Sequence, residues 1–478
     1  TTASPTILWF RRDLRLDDNL ALHAACSVGG PVICLYIRED GLAGALGSAQ
    51  AWWLHHSLAA LDERLRQRGN RLLLLSGAPG DILPELVAQT GAGAIHWNRR
   101  YDPQGIADDT ALKGSLRAMG LTVESHAGTL LHEPTRLKTG QGKPFSVFSP
   151  FWRALSADFE PLDRLAAPQT LPCPDGMPMG ETLADWHLRP TSPDWAAGFG
   201  EFWKPGELGA LARLEAFIDN GLADYREGRD FPARPAVSCL SPHLALGEIS
   251  PHTIWRMLSA STDTLPAESI ASYRRELAWR DFAWHLLYHR PDMQSINMDR
   301  RFDAFPWHAD PEAFRQWRRG ATGYPIVDAG MRELWQTGTM HNRVRMVVAS
   351  FLTKNLLIPW QEGAAWFWDT LVDADPGSNP ASWQWVAGSG ADAAPYFRVF
   401  NPVLQGEKFD SNGSYVRRWV PELPRLPASL IHQPWAAKPL ELAEAGVALG
   451  RSYPAPIVEQ RHGRERALAA YASLRTSD

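Results

Sequence analysis

The sequence predicts an α/β domain that is followed by an all-helical one. The first 130 residues alternate short apolar runs with helical periodicity, which is typical of a doubly wound parallel sheet. Beyond residue 206 strand signals nearly vanish and helical periodicity recurs. With 478 residues the chain exceeds one ordinary domain. We therefore expect an α/β domain at 1–130, a linker at 131–205 and a helical domain at 206–478.

Strands and helices alternate in the predicted α/β domain. The predicted strands are Thr6–Phe10, Val32–Ile37, Leu72–Leu75, Ala94–Trp97 and Leu121–Ser125. The predicted helices are Leu20–Ser27, Ala49–Arg68, Asp81–Gln89 and Gln104–Ala118. No G-x-G-x-x-G follows the first strand, so the standard dinucleotide fingerprint is absent from the sequence.

The predicted linker is rich in Pro, Gly and Trp and has weak periodicity, which indicates an irregular segment. Its one patterned part, Gly142–Arg153, suits either a clamp between domains or a surface loop. In the helical domain the predicted helices are Ala210–Asn220, Ala267–Tyr288, Gly330–Gln336, Asn342–Asn355, Gly363–Val372 and Ile457–Leu474.

One further short helix is predicted at Pro380–Ala387, inside the unusual stretch Leu371–Asp410. Asn379 is its expected N-cap and Gly388 the residue that ends it. Residues two apart on a helix are separated by about 200°. Trp383 and Trp385 are therefore predicted to face opposite ways.

Composition excludes several classes of protein. Hydrophobic residues make up 45% and charged residues 21%, as in a soluble globular protein with a sizeable core. The sequence contains no run of 18 apolar residues, so no membrane span is predicted. The first residues lack a signal-peptide pattern. We therefore expect a cytoplasmic location. A net charge of −5 argues against a protein that coats nucleic acid indiscriminately.

The four cysteines are far apart, and no C-x-x-C motif is present. This spacing predicts reduced, mostly buried thiols and neither a disulfide framework nor a zinc site. The four residues are Cys26, Cys34, Cys173 and Cys239.

Several polar residues are candidates for chemistry, although each also has a structural explanation. Ser238 and Ser241 flank a loop just before a proline, where backbone N–H groups suit a phosphate but also an ordinary helix start. Asn342, Arg345 and Met346 share one helix face. Glu276, Trp279 and Arg280 share another; there a surface ion pair is the plainer explanation. Core packing explains any isolated tryptophan.

Together with the stretch Leu371–Asp410, three runs resemble the photolyase/cryptochrome family of flavin photoenzymes, and bacterial cyclobutane pyrimidine dimer photolyases in particular. They are Phe10–Asn19 (FRRDLRLDDN), Arg275–Trp284 (RELAWRDFAW) and Met340–Lys354 (MHNRVRMVVASFLTK). The resemblance extends from Trp9 to Asp410. It implies an N-terminal antenna domain and a C-terminal helical domain that binds FAD.

The resemblance implies a set of FAD-binding residues. The loop Val237–Ser241 matches positions that hold the phosphates, although many relatives have Arg where this chain has Cys239. Arg345 and Asp373 match residues against the isoalloxazine, and Asp375 matches one near its N3 edge. Asn379 would lie opposite flavin N5, a role that competes with helix capping for its side-chain oxygen and that we favour. The complete set is Tyr225, Val237, Ser238, Cys239, Leu240, Ser241, Arg280, Asn342, Arg345, Asp373, Ala374, Asp375 and Asn379.

The resemblance also implies a binding site for damaged DNA. Trp279 and Trp385 would flank a flipped pyrimidine dimer, and Glu276 would hydrogen-bond it. Asn342 would contact flavin or a thymine carbonyl, and Met346 would pack against the lesion. Positive residues, Arg343 and also Lys408, would contact phosphates unless they are simply solvated charges. By family position Trp383, Trp360 and Trp307 form a wire that photoreduces the flavin, with Trp383 innermost.

Three residues point to the reaction. Signalling cryptochromes often carry Asp or Cys where this chain has Asn379, and a neutral amide suits a reduced flavin that donates an electron. The (6-4) photolyases carry His at the positions of Asn342 and Met346, whereas dimer splitting needs electrons only. The expected function is light-dependent repair of cyclobutane dimers by electron transfer from photoexcited reduced FAD. Glu276, Asn342, Met346 and Asn379 are the expected catalytic residues.

Two other functions are weighed against repair, namely a cryptochrome-like photoreceptor that signals without repair and a flavin oxidoreductase. The resemblance also implies an antenna chromophore, with methenyltetrahydrofolate favoured over a deazaflavin or a second flavin. UV-damaged DNA is the expected partner. We expect a monomer with no obligatory protein partner, no membrane contact and no metal.

Overall fold

The structure is a computed structural model that describes residues 4–39, 46–157, 159–393 and 397–474. Residues 394–396, which belong to the unusual stretch Leu371–Asp410, lie outside the described residues. Among those described, no helix combines the length and apolar character that a bilayer span requires.

The first 126 residues form the predicted α/β fold. Within the described residues, five parallel strands lie in the order β3-β2-β1-β4-β5. The strands are β1 (Thr6–Phe10), β2 (Val32–Arg38), β3 (Leu72–Ser76), β4 (Ala94–Asn98) and β5 (Thr122–His126). The helices between them are α1 (Leu20–Ser27), α2 (Ser48–Arg66), α3 (Pro79–Thr90) and α4 (Pro103–Ala118). The predicted fold class is confirmed.

Apolar side chains on both faces of the strands explain the helices on both sides of the sheet. On one face Leu8, Phe10 and Cys34 pack with residues of α1 and α2. On the other face Ile7, Trp9 and Ile95 pack with residues of α3 and α4. The alternation of side chains along each strand thus divides the core into two clusters.

Beyond β5, the regular secondary structure of the described residues is almost entirely helical, with an irregular stretch between residues 159 and 198. In order, the helices are α5 (Phe148–Ser156), α6 (Phe199–Phe202), α7 (Glu207–Asn220), α8 (Tyr225–Gly228), α9 (Ser241–Ala245), α10 (Pro251–Ala260), α11 (Ala267–His289), α12 (Pro311–Arg318), α13 (Pro325–Thr337), α14 (Asn342–Ser350), α15 (Trp360–Thr370), α16 (Ser378–Ala387), α17 (Pro402–Phe409), α18 (Ser414–Trp419), α19 (Pro439–Ala445) and α20 (Gln460–Ser473). Short 3₁₀ segments are Leu222–Asp224, Pro291–Gln294, Arg300–Ala304 and Pro434–Ala436, and a π-helical turn is Phe351–Asn355. In the described residues beyond 206, β-pairing is limited to a bridge between Leu449 and Tyr453.

The chain divides into two compact units, which are described separately. Unit 1 comprises Thr1–Ala223, Ser238–Pro291 and Val372–Gly377. Unit 2 comprises Asp224–Val237, Asp292–Leu371 and Ser378–Asp478. The sheet and α11 belong to unit 1, and α13 to α18 belong to unit 2. The domain boundaries expected near residues 130 and 205 stay a prediction.

Three local predictions need correction. The helix expected at Pro380–Ala387 begins at Ser378, so Asn379 lies inside its first turn and is not the N-cap. The helix expected at Asn342–Asn355 leaves α-geometry after Ser350 and finishes as a π-helical turn. Only Cys34 is fully buried among the four free thiols, and the other three are half-buried. Cys26 and Cys239 pack against the edge of a core cluster.

The patterned segment Gly142–Arg153 of the predicted linker is part loop and part helix. Residues 142–147 are irregular and mostly exposed, whereas the second half starts α5, in which Phe148 and Phe151 are buried. Both rings contact Phe282 of α11. The helical half of the segment therefore packs on α11 within unit 1.

Candidate functional site

The serine loop ahead of α9 is a tight turn of unit 1 that presents hydroxyl groups. Cys239 has a φ of 51°, which places its backbone in the left-handed region. The Oγ of Ser238 accepts hydrogen bonds from the backbone N–H of Leu240 (3.3 Å) and the hydroxyl of Tyr273 (2.8 Å). Ser241 Oγ donates to Oδ2 of Asp373 (2.6 Å). The loop is thereby joined to the Asp373 segment.

Asp373 and Asp375 are nearly buried carboxylates on a short segment held in unit 1 by neighbouring side chains. Trp284 Nε1 donates to Oδ2 of Asp375 (3.1 Å), and the backbone N–H of Gly377 donates to Oδ1 (3.0 Å). The carbonyl of Ala374, between them, accepts from Nε2 of Gln50 (2.8 Å). These bonds fix the orientation of the carboxylates, as buried charged groups require.

Helix α11 carries Glu276, Trp279 and Arg280 on one face, as predicted, and all three side chains are half-buried. Arg280 donates from Nη1 to the carbonyl of Thr129 (2.8 Å) and from Nη2 to that of Leu244 (3.4 Å). Its guanidinium is thus fixed by backbone groups and is more than a solvated surface charge.

The indole of Trp279 is stacked on Phe148 of α5. The ring centroids are 3.6 Å apart and the planes differ by 8°. Phe148 is a contact residue that the sequence alone did not identify, because α5 and α11 are far apart in the chain. The only local signal was the aromatic pattern of residues 142–153.

In unit 2, α14 presents Asn342, Arg345 and Met346 on one face, as predicted. Asn342 is exposed, and Met346 is half-buried. Arg345 Nε donates to the carbonyl of Met340 (2.7 Å). Burial lowers the pKa of His341 to about 4, so its neutral ring accepts a hydrogen bond from the backbone N–H of Arg343 (3.2 Å) at the start of this helix.

The two predicted DNA-contacting cations of unit 2 have aromatic and acidic neighbours. Arg343 forms an ion pair with Asp230 (2.7 Å) and lies 4.5 Å from the ring centre of Phe409. Lys408 is exposed and lies 5.1 Å from that ring.

Tyr225, a predicted FAD-binding residue, is buried at the start of α8.

Helix α16 separates its two tryptophans as predicted. Trp383 is buried, with its ring edge-on to Phe367 (5.0 Å) and Trp317 (6.2 Å). Trp385 is only half-buried, and its Nε1 donates to the carbonyl of Asp392 (3.1 Å). Near the start of the helix, Asn379 Nδ2 donates to the carbonyl of Ala364 (3.0 Å), which orients the amide.

The other two tryptophans of the predicted wire differ in exposure. Trp360 is fully buried, and its Nε1 donates to Oδ1 of Asn297 (2.8 Å). Trp307 is half-buried beside Phe305, with ring centroids 4.4 Å apart. The outermost member expected from the family is therefore also the most exposed of the three.

The polar groups of the predicted FAD-binding residues suit FAD. Unit 1 supplies hydroxyls and a turn with Cys239 in the left-handed region, which suit a pyrophosphate. It also supplies the buried carboxylates of Asp373 and Asp375, which suit N–H and hydroxyl donors. Unit 2 supplies the oriented amide of Asn379. Each set by itself has the polar groups that the predicted role requires.

Comparison with known proteins gives the family. A model described as DNA photolyase matches residues 6–175, and one described as the FAD binding domain of DNA photolyase matches residues 273–473. The chain is 57% identical to the deoxyribodipyrimidine photo-lyase of Agrobacterium fabrum, over 99% of this chain and 98% of that protein. It is 37% identical to cryptochrome-1 of Arabidopsis thaliana, over 98% of this chain and 70% of that protein.

A solved structure agrees with these matches. The crystal structure of a bacterial class III photolyase from Agrobacterium tumefaciens superimposes with a TM-score of 0.98 at 57% identity, covering 100% of this chain and 98% of that one. The chain belongs to the DNA photolyase/cryptochrome family.

Proposed function

We propose that this protein is a deoxyribodipyrimidine photo-lyase, which uses light to split cyclobutane pyrimidine dimers in DNA. The observation that carries the proposal is the 57% identity to a photo-lyase along nearly the whole of both chains. The polar and aromatic residues described above supply groups suited to that reaction. Asn379 favours repair over signalling because a neutral amide does not deliver a proton at neutral pH.

We propose that FAD is held by the residues assigned from the family pattern. The loop Val237–Ser241 binds the phosphates, and Arg345, Asp373 and Asp375 bind the flavin ring. Asn379 presents its amide to the ring, in the orientation set by the bond to Ala364. When bound, reduced FAD supplies the electron that it donates on absorbing near-UV or blue light.

Aromatic stacking holds the flipped dimer in this proposal. Trp279 and Trp385 each offer an indole face, and stacking on such a face is worth about 1–3 kcal/mol per base. Flipping costs a few kcal/mol and costs least where damage has weakened base pairing. Phe148 supports this arrangement, since its stack with Trp279 fixes the plane of that indole.

Hydrogen bonding stabilises the charge that develops on the dimer. Glu276 contacts the pyrimidine, Asn342 contacts a thymine carbonyl or the flavin, and Met346 packs against the lesion. Preorganised donors at a developing charge are a general source of rate enhancement. Neutral Asn342 and Met346 suit dimer splitting because that reaction transfers no proton.

Binding to the DNA backbone uses Arg343 and Lys408. Arg343 is already paired with Asp230. A DNA phosphate therefore either displaces the carboxylate of Asp230 or binds the guanidinium of Arg343 alongside it. Affinity should fall as salt is added, because each phosphate contact releases condensed counterions.

Electrons reach the oxidised flavin from the protein surface through Trp307, Trp360 and Trp383 in this proposal. The burial of Trp383 and Trp360 and the partial exposure of Trp307 support that order. The role of each tryptophan stays a prediction.

Residues 1–130 form the antenna domain in this proposal, 131–205 the linker and 206–478 the FAD domain. We favour methenyltetrahydrofolate as the antenna chromophore over a deazaflavin or a second flavin. The cytoplasmic location, the monomeric state and the absence of an obligatory protein partner stay predictions.

A repair assay tests the proposed function. FAD-loaded, chemically reduced protein is mixed with an oligonucleotide that contains one thymine dimer, and the dimer is quantified by chromatography after illumination and after an equal time in darkness. We expect dimer loss in light only. Intact dimers in both samples would favour the photoreceptor, and turnover of a small substrate in darkness would favour the oxidoreductase.

A further inference from the structure

We propose that His96, Glu124 and His126 form a binding site for a divalent transition-metal ion at the β5 edge of the sheet in unit 1. None of these residues has a role in the proposed repair reaction. The inference is therefore independent of the proposed photolyase function. It also goes against our expectation from the sequence that the chain binds no metal.

The register of the sheet brings the three side chains together. His96 of β4 is directly paired with Glu124 of β5, and Asn98 is paired with His126. Glu124 and His126 are two residues apart on one strand, so their side chains lie on the same face. This is also the face of His96, because directly paired residues project to the same side.

The distances suit shared coordination. Nδ1 of His96 and Nε2 of His126 are 3.0 Å apart. The ligand atoms of all three residues lie within 4.8 Å of one another. With metal–nitrogen bonds of about 2.1 Å, a 3.0 Å separation gives an N–metal–N angle of about 90°. A small opening of the pair would reach the tetrahedral angle.

The donor set indicates the class of metal. Two imidazoles and one carboxylate bind zinc in catalytic and related sites and leave a position for water. Ca²⁺ and Mg²⁺ prefer sites made of oxygen alone, so neither suits two nitrogen ligands. His96 is buried, His126 is half-buried and Glu124 is exposed, which gives an ion a path from solvent.

Two cations lie near the cluster and weaken the attraction for an ion. Lys113 Nζ donates to Oγ of Ser125 (2.7 Å), and Arg99 Nη2 donates to the carbonyl of Ser125 (2.8 Å). The side chain of Ser125 projects to the opposite face of β5 from those of Glu124 and His126. Glu124 supplies one compensating negative charge on the side of the histidines.

The simpler explanation is a hydrogen bond between two neutral imidazoles, one of which donates and the other accepts. Zinc titration separates the two explanations. The whole chain, stripped with a chelator, is titrated with ZnCl₂ by calorimetry, and bound zinc is counted after dialysis. We compare the unaltered protein with Glu124→Gln, His126→Ala and the control His462→Ala, an exposed histidine on α20. Circular dichroism checks that each variant is folded.

We expect one zinc ion per chain and an unchanged Kd for His462→Ala. The Kd should rise at least about tenfold in His126→Ala, since even the loss of a group that only supports a metal ligand costs 10- to 100-fold in affinity. Glu124→Gln, which keeps the size of an exposed side chain, should weaken binding while the fold is preserved. Absence of zinc binding, or equal affinity in all four proteins, would overturn the proposal.

Discussion

At the scale of single residues, Glu276 of α11 gives the first test of the proposed dimer site. Glu276→Ala should lower the quantum yield of dimer repair severalfold, because it removes the proposed hydrogen bond to the dimer, and a hydrogen bond to a charged group contributes about 1.5–3 kcal/mol. FAD content, measured by absorbance, should change little. Glu268→Ala, on the same helix, is the matched control and should behave like the unaltered protein. An unchanged yield in Glu276→Ala would contradict the assigned role.

Trp383 gives a second test at this scale, in which two activities separate. Trp383→Phe should abolish photoreduction of oxidised flavin, since the residue nearest the flavin is lost from the electron path. Repair by chemically reduced protein should persist, because that reaction needs no electron from the surface. The absorbance of the flavin under illumination measures the first activity, and the dimer assay measures the second.

Trp435→Phe is the control for this experiment. Trp435 is half-buried in the same unit and contacts Tyr324, so its loss changes aromatic content without touching the proposed wire. Photoreduction should be retained in this control. Photoreduction that survives in Trp383→Phe would exclude the assigned path.

At the scale of elements, the stack between α5 and α11 predicts a specific loss of affinity for damaged DNA. Phe148→Leu removes the ring that fixes Trp279, and aromatic pairs of this kind contribute about 0.5–1.5 kcal/mol. The Kd for a dimer-containing duplex should therefore rise about two- to tenfold, with little change for undamaged duplex. Fluorescence anisotropy measures both affinities.

Phe151→Leu provides the matched control for that prediction. Phe151 lies on the same helix as Phe148 and is equally buried. Its ring contacts Phe145, Phe282 and His285 rather than Trp279. It should lose stability without losing lesion preference. Equal losses of affinity in the two variants would mean that Phe148 acts only through packing.

The crossing of α15 and α16 predicts an effect on stability. A side chain at Gly363 would overlap the ring of Trp383 and approach Cδ2 of Leu352 (2.7 Å). Gly363→Ala should therefore destabilise the protein by about 1–3 kcal/mol, the usual cost of overpacking. Gly114→Ala on α4, where the new methyl group meets nothing within 4 Å, should stabilise by about 0.5–1 kcal/mol. Denaturant unfolding measures both, and equal changes would contradict the close approach.

The elements also mark how far sequence reasoning reaches. The strands were predicted to within about a residue at each end, because buried parallel strands are short apolar runs with clear limits. Three helices that begin with proline were not predicted, namely Pro251–Ala260, Pro311–Arg318 and Pro402–Phe409. Each follows a capping Ser, Asp or Asn whose side chain accepts a backbone hydrogen bond, so the start signal was present.

The same signal misled us at Asn379-Pro380, where the helix starts earlier and the asparagine turns its amide to Ala364. Residue spacing did predict the shared faces of α11 and α14 and the opposed tryptophans of α16. It could not predict that Phe148 stacks on Trp279 or that His96 meets His126. Such contacts depend on tertiary packing and sheet register, which local periodicity does not encode.

At the scale of the whole molecule, the central claim is that light drives repair of one class of lesion. Family membership alone does not decide this, since cryptochromes belong to the same family. The 57% identity to a deoxyribodipyrimidine photo-lyase favours repair over signalling. In our proposal Asn342 and Met346 set the class of lesion, and Asn379 suits a flavin that donates an electron.

The most direct measurement compares two lesions in one experiment. Reduced protein is illuminated with two oligonucleotides of equal sequence, one containing a cyclobutane thymine dimer and the other a (6-4) photoproduct, and each lesion is quantified over time beside dark samples. We predict that the cyclobutane dimer is lost in light alone and that the (6-4) photoproduct stays intact. Persistence of the cyclobutane dimer under illumination would contradict the account.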